Sequence, residues 1–180
     1  MNQTPQDFSS FAILGGGQHA RLINELAGKQ GLKIVGWIDK STVTKLIPSK
    51  EFLHYTDDSQ YLELRANGVG LLLGIASHKL WTKRTKLISE FVSDTYTTPN
   101  IIGENVVLSE NVKIGQGNQL IGNCFIQHFA QIGSWSIINS GAIIEHDAKI
   151  GDSVHIAPGV TVCGGVSIGN GSYIGAGTTV

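Results

Sequence analysis

The chain has 180 residues, 41% hydrophobic and 15% charged, with a net charge of −1 when histidines are neutral. That balance excludes a polycationic nucleic-acid surface, and no apolar run approaches the roughly 18 residues that a membrane span requires. Two cysteines, Cys124 and Cys163, lie 39 residues apart with no metal-ligand spacing around them, so a reduced, cytoplasmic protein without a bound metal is expected. Charge is unevenly spread. Residues 1–98 carry 11 Lys and Arg against 9 Asp and Glu, whereas residues 99–180 carry 2 against 5, so a polyanionic small ligand is held more easily with help from the first half.

Residues 1–9 are polar and lack a basic stretch followed by an apolar run, which predicts a flexible start rather than a signal peptide. Ser10 to Leu14 reads as a buried strand running into Gly15-Gly16-Gly17-Gln18-His19-Ala20. A helix follows from Gln18 to Gln30, with Leu22, Ile23, Leu26 and Ala27 on one face. Lys33 to Ile38 is a second strand ending at Asp39, Leu71 to Gly74 a third, and His78 to Phe91 an amphipathic helix whose basic run, Lys79, Lys83, Arg84 and Lys86, is expected to be a solvated face. Asp94 to Thr97 is expected as a short strand, and Thr97-Thr98-Pro99 as a hinge. A strand, a glycine turn, a helix and a strand place a ligand at the carboxyl edge of a parallel sheet, where the helix start attracts phosphate. The pattern Gly15-x-Gly17-x-x-Ala20, with an acid 24 residues past Gly15, also invites an NAD site. The unit over residues 10–98 is too short for two mononucleotide halves, so a single nucleotide fits better.

From Ile102 to Val180 every sixth residue is aliphatic, fourteen positions in succession. A period of six suits neither a helix nor a strand meander; it is the repeat of a parallel β-helix, with three hexapeptides closing a coil of about 18 residues. The residue four places after each aliphatic is mostly small or β-branched, from Val106 to Thr178, and is expected to point inward with it. Glycine often follows the aliphatic residue, as at Gly115, Gly133, Gly151, Gly169 and Gly175, where the chain bends beside a crowded interior. Residues about 18 apart stack at about 4.8 Å, so Glu110, His128, His146 and Gly164 form one column.

Within the coils, Ile138-Asn139-Ser140-Gly141-Ala142-Ile143-Ile144-Glu145-His146-Asp147-Ala148-Lys149-Ile150-Gly151-Asp152 resembles the active-site stretch of hexapeptide-repeat sugar O- and N-acyltransferases, the family of the sialic acid O-acetyltransferase and the bacillosamine-pathway UDP-amino-sugar N-acetyltransferase. The resemblance covers residues 10–180 and implies an α/β, Rossmann-like nucleotide-sugar-binding domain over 10–98, followed by an all-β left-handed parallel β-helix over 99–180. It implies His146 as general base, Asp147 as the acid that orients it, and Asn139 near the acceptor. It sets His155 and Gly164 by the thioester end of acetyl-CoA, and Gly15, Gly16, Gly17, Gln18, His19, Arg21 and Asp39 around the nucleotide-sugar. The family builds its sites between the subunits of a homotrimer, and its members continue beyond the position of Val180, so the C-terminal coils are expected to be missing here and coenzyme binding to be weaker.

The chemistry agrees with this assignment. Acyl transfer from a thioester to an amine or hydroxyl sheds a proton, and histidine, with a reference pKa of about 6.5, is largely neutral and basic near pH 7. The expected function is therefore transfer of an acetyl group from acetyl-CoA to a nucleotide-linked amino sugar. O-acetylation of sialic acid or a related sugar is the alternative within the same chemistry. A catalytically silent trimeric scaffold that binds a nucleotide-sugar is the alternative outside it. Nucleic acid is not an expected partner.

Overall fold

The computed structural model describes residues 8–40, 53–55, 60–76, 81–91 and 97–180. The chain divides into two compact units, Met1–Thr98 and Pro99–Val180.

The first unit is built on a four-stranded parallel sheet of β1 (Ser10–Leu14), β2 (Ile34–Ile38), β3 (Leu53–Tyr55) and β4 (Val69–Leu73), in the order β3-β2-β1-β4. Its central strands are runs of Phe, Ile, Leu and Val because both faces of a covered parallel sheet are apolar. Helix α1 (Gln18–Lys29) buries Ala20, Ile23, Leu26 and Ala27, the face the helical period predicts except that Ala20 replaces Leu22 as its deepest early position. The helix lies close to the strands. A Cβ at Gly74 would come within 2.6 Å of the Ala20 methyl and 2.8 Å of Ile13, so glycine and alanine face each other where nothing larger fits. Helices α2 (Gln60–Ala66) and α3 (Trp81–Phe91) complete the described elements of this unit.

Several expectations change. β3 and α2 were not legible in the sequence, since three residues of strand and seven of helix are too short to establish a period. The expected helix start at His78, with Lys79, lies outside the described residues, as do Asp94 to Tyr96 of the expected last strand; Thr97 is not in a strand. The basic run is not uniformly solvated. Lys83 and Lys86 are exposed, but Arg84 is fully buried, its Nε donating to the Ile75 carbonyl at 3.0 Å and its guanidinium lying 4.8 Å from the Trp81 ring centre. Arg84 falls three residues from both Trp81 and Leu87, on the apolar stripe, and burial pulls its pKa down to about 9.

The second unit is a solenoid of thirteen two-residue strands, β5 (Ile101–Ile102) to β17 (Tyr173–Ile174). Each pairs in parallel with the strand one coil on, giving three flat sheets, an arrangement that fits a left-handed β-helix. The aliphatic column is buried from Leu120 to Ile168, together with Cys124, Ala130, Ala142, Ala148, Val154 and Val160. At the first coil Ile102 and Leu108 are exposed, because a coil's interior is covered by the coils on either side of it. Glycine after the aliphatic residue is required by contact between coils: a Cβ at Gly115, Gly133 or Gly151 would lie 2.8 Å from backbone of the next coil.

Two buried polar residues interrupt the apolar interior, and both are satisfied by neighbouring coils. Asn118 donates from Nδ2 to the Gly133 carbonyl at 2.8 Å and accepts from the Ser136 N–H at 2.8 Å. Ser136 in turn donates to the Gly151 carbonyl at 3.0 Å and accepts from the Val154 N–H at 2.9 Å. Each link ties one coil to the next, and losing one strands a buried polar group.

The coil corners share a backbone feature. Every sixth residue from Asn105 to Gly177 has a positive φ, between 53° and 72°. Glycine or asparagine fills most of these positions, the residue types that tolerate the left-handed region. The exceptions are Phe129, Trp135, Asp147 and Ser153. Trp135 is buried, and its ring covers Gly117 one coil away so closely that a Cβ there would lie 2.6 Å from it.

Candidate active site

His146 stands on the corner that follows β12 (Ile143–Ile144), within Glu145-His146-Asp147-Ala148. Asp147, at φ +60°, turns its carboxylate back to its neighbour, and Oδ2 lies 3.0 Å from His146 Nδ1. With Nδ1–H donated to that carboxylate, Nε2 is left as the basic nitrogen facing away from the pair. Both side chains are more than half exposed, so the contact serves to fix a tautomer and a ring direction rather than to stabilise the fold.

Coil stacking sets what lies on either side of the ring. The Asp147 N–H donates to the His128 carbonyl at 3.2 Å and the Gly165 N–H to the His146 carbonyl at 2.9 Å, which fixes His128, His146 and Gly164 as successive members of one column. Gly164 lies against the imidazole. A Cβ there would come within 2.8 Å of both Cε1 and Nε2, so only glycine lets the ring keep its position.

A second group forms around Asn139, which follows β11 (Ile137–Ile138). Its Oδ1 accepts from the Ser140 N–H at 2.8 Å, and its Nδ2 lies 3.4 Å from Nε2 of His155, in β14 (His155–Ile156). His155 is buried and meets the edge of the Tyr173 ring at 4.9 Å. The structure thus groups Gly164 with His146 and Asp147, and His155 with Asn139. Cys124 is buried in the coil interior, which pushes its thiol up to about 11 and leaves it unreactive, whereas Cys163 is exposed. Among the described residues no group of His, Cys, Asp and Glu could hold a metal ion.

In the first unit the glycine turn and Asp39 come together. The Gly15 N–H donates to the Ile38 carbonyl at 2.8 Å, and the Gly16 N–H donates to Asp39 Oδ2 at 2.5 Å. Gly15 has φ +101°, and a Cβ there would lie 2.9 Å from Ile75, so the turn is closed to any other residue type. Gly17 caps α1 without a side-chain cap; Gln18 is exposed, and His19 and Arg21 are half-buried on the first turns.

Residues 147–180 match the family model Bacterial transferase hexapeptide (six repeats). Over that stretch the coils resemble those of hexapeptide-repeat transferases. PerB from Caulobacter crescentus, solved in complex with CoA and GDP-perosamine, is similar in structure with a TM-score of 0.71 at 26% identity, over 95% of this chain and 88% of that one. A mutant of perosamine N-acetyltransferase from the same organism, also with CoA and GDP-perosamine, gives a TM-score of 0.74 at 24% identity, over 95% of this chain and 88% of that one. The acetyltransferase domain of PglB from Neisseria gonorrhoeae gives 0.76 at 23%, over 95% and 82%. No curated protein sequence matches the chain. The resemblance to hexapeptide-repeat sugar acyltransferases seen in the sequence is thereby borne out.

Two residues beside these groups escaped sequence reasoning. Tyr173 covers His155, and Phe129 stands one coil before Asp147. Stacking the sequence in rows of 18 residues, as the coil hydrogen bonds do, would have shown both.

Proposed function

We propose that this chain is an acetyl-CoA-dependent sugar N-acetyltransferase, acting on a nucleotide-linked amino sugar in surface-glycan synthesis. The observation that carries the proposal is the pairing of His146 Nδ1 with Asp147 Oδ2 at 3.0 Å, which leaves Nε2 free as a base on a corner whose next coil offers bare glycine. The repeat family and the CoA-bound acetyltransferases of the same fold support the acetyl-CoA-dependent class.

In this function His146 Nε2 takes the proton from the sugar amine as nitrogen bonds to the thioester carbonyl carbon, then gives it to the departing sulfur as the carbon–sulfur bond breaks. Asp147 holds the ring direction through both transfers. Asn139, kept in place by Ser140 and His155, is available to the acceptor, and His155 and Gly164 border the thioester. No covalent enzyme intermediate is needed, which suits a buried Cys124.

Residues 10–98 would hold the nucleotide in a Rossmann-like manner. The strand order β3-β2-β1-β4 reverses beside β1, and the crevice at such a switch point is where ligands bind in parallel sheets. Two of the three glycine amides are occupied by Ile38 and Asp39, so the phosphates belong at the first turn of α1, over Gly17, Gln18 and His19, with Arg21 nearby, while the Asp39 carboxylate faces ribose or base rather than phosphate. A homotrimer is supported by an exposed apolar row along one sheet, Val107, Phe125 and Ile143, stacked in register. A cytoplasmic location accords with both proposed substrates.

Acetyl transfer assayed with a panel of uridine, guanosine and thymidine diphosphate amino sugars beside sialic acid tests the proposal. Transfer to an amino-sugar nucleotide is expected; transfer to sialic acid alone would make it an O-acetyltransferase, and nucleotide-sugar binding with no transfer would make it a scaffold.

A further inference from the structure

We infer that Phe129 is the platform on which the acceptor sugar rests while its nucleophile faces His146, an inference that rests on the acetyl-transfer function proposed above. Phe129 occupies one of the left-handed corner positions, at φ +62°, where nine of the twelve others hold glycine or asparagine. A bulky residue there is strained, and strain persists where something compensates it. The other three exceptions each have a visible return or a small side chain. Trp135 buries its ring over Gly117, Asp147 reaches His146, and Ser153 is small. Phe129 gains nothing from the fold: it is 56% exposed, the most exposed large hydrophobic side chain among the described residues.

Its place in the coil supplies the missing return. Phe129 and Asp147 occupy equivalent corners one coil apart, and the Phe129 ring is tilted against that of His128 with ring centres 6.5 Å apart. On the opposite side of Asp147 the equivalent residue is Gly165, around which a Cβ would find open space. The corner that carries His146 and Asp147 therefore has an aromatic residue at the equivalent place in the coil before it and an uncrowded glycine in the coil after it. A pyranose has an apolar C–H face that an aromatic ring covers well, while its polar edge stays free for reaction. The open side at Gly165 is left for the thioester.

Phe129→Gly removes the ring and the backbone strain together, so a role in folding and a role in acceptor binding give opposite results. The expected outcome in steady-state kinetics on the full chain is a rise of about tenfold or more in KM for the amino-sugar nucleotide, with KM for acetyl-CoA within about twofold of wild type. The melting temperature should not fall, sedimentation should be unchanged, and Phe129→Tyr should restore the acceptor KM. An unchanged acceptor KM in an otherwise active enzyme overturns the inference and leaves the acetyl-transfer function standing. Loss of assembly in Phe129→Gly overturns it in favour of a subunit contact. Absence of transfer by the wild type with every acceptor overturns the function and this inference together.

Discussion

Two corners stacked one coil apart, Gln127-His128-Phe129-Ala130 and Glu145-His146-Asp147-Ala148, share the left-handed backbone turn, and each carries a histidine in the same place. Only the second has a carboxylate beside its histidine, at 3.0 Å, and only the second has glycine in the coil that follows. His128 instead has an aromatic neighbour and His146 in the coil after it. The difference teaches that the solenoid gives every corner the same geometry, and that chemistry is written by which side chains occupy three stacked layers. In the proposed function His146 serves as the base because the residue beside it is an acid and the layer after it holds a glycine that leaves room for its ring.

The largest separation between the corners should come from removing each histidine. His146→Ala is expected to lower kcat by about 10²–10⁴, with the thermal melt unchanged, because a corner side chain adds little to the core. His128→Ala should leave kcat within about threefold. Equal losses at both would erase the distinction. Filling the empty layer comes next. Gly164→Ala drives a methyl group to 2.8 Å from the imidazole and must turn the ring, so kcat should fall by about tenfold to a hundredfold while nucleotide-sugar binding, read by calorimetry, stays the same.

Asp147→Gly sharpens the comparison differently, since it removes the orienting acid from a left-handed position that glycine prefers. We expect kcat to fall about tenfold with no loss of melting temperature; a large loss of stability would show that Asp147 serves the fold. The smallest effect belongs to Gly165→Ala, whose Cβ meets nothing but whose φ of +72° is strained for alanine. A loss of about 1 kcal/mol in denaturant unfolding, with kcat preserved, is the expected result.

The coil unit was more legible than the α/β unit for a physical reason. Ile102 through Val180 repeat at one fixed spacing because each flat face must place an aliphatic side chain in the same interior, so a single rule covers some eighty residues. A second rule was equally present and unread: glycine or asparagine three places after the aliphatic, at Asn105, Asn111, Gly117, Asn123 and onward, marks the left-handed corner. In the α/β unit β1, α1 and β4 were visible as apolar runs around a glycine turn, but β3 and α2 were not, and Arg84 looked like part of a solvated basic face until the Trp81 and Leu87 stripe carried it inside. His146 and Asp147 were legible because they adjoin in sequence. The contact between Asn139 and His155 spans 16 residues and came only with the coils.

By itself the sequence determined the period, the closed coil, the inward columns and the candidate base, since each depends on spacing along one chain and on the size of side chains that must share an interior. The tertiary structure alone decided which residues far apart in the chain meet: that Gly164 bounds the His146 ring, that Asp39 takes the Gly16 amide, that His155 turns to Asn139 under Tyr173, and that Phe129 stands strained and exposed one coil before Asp147. Those contacts depend on rotamers and on hydrogen bonds between segments far apart in the chain, and no local rule of spacing contains them.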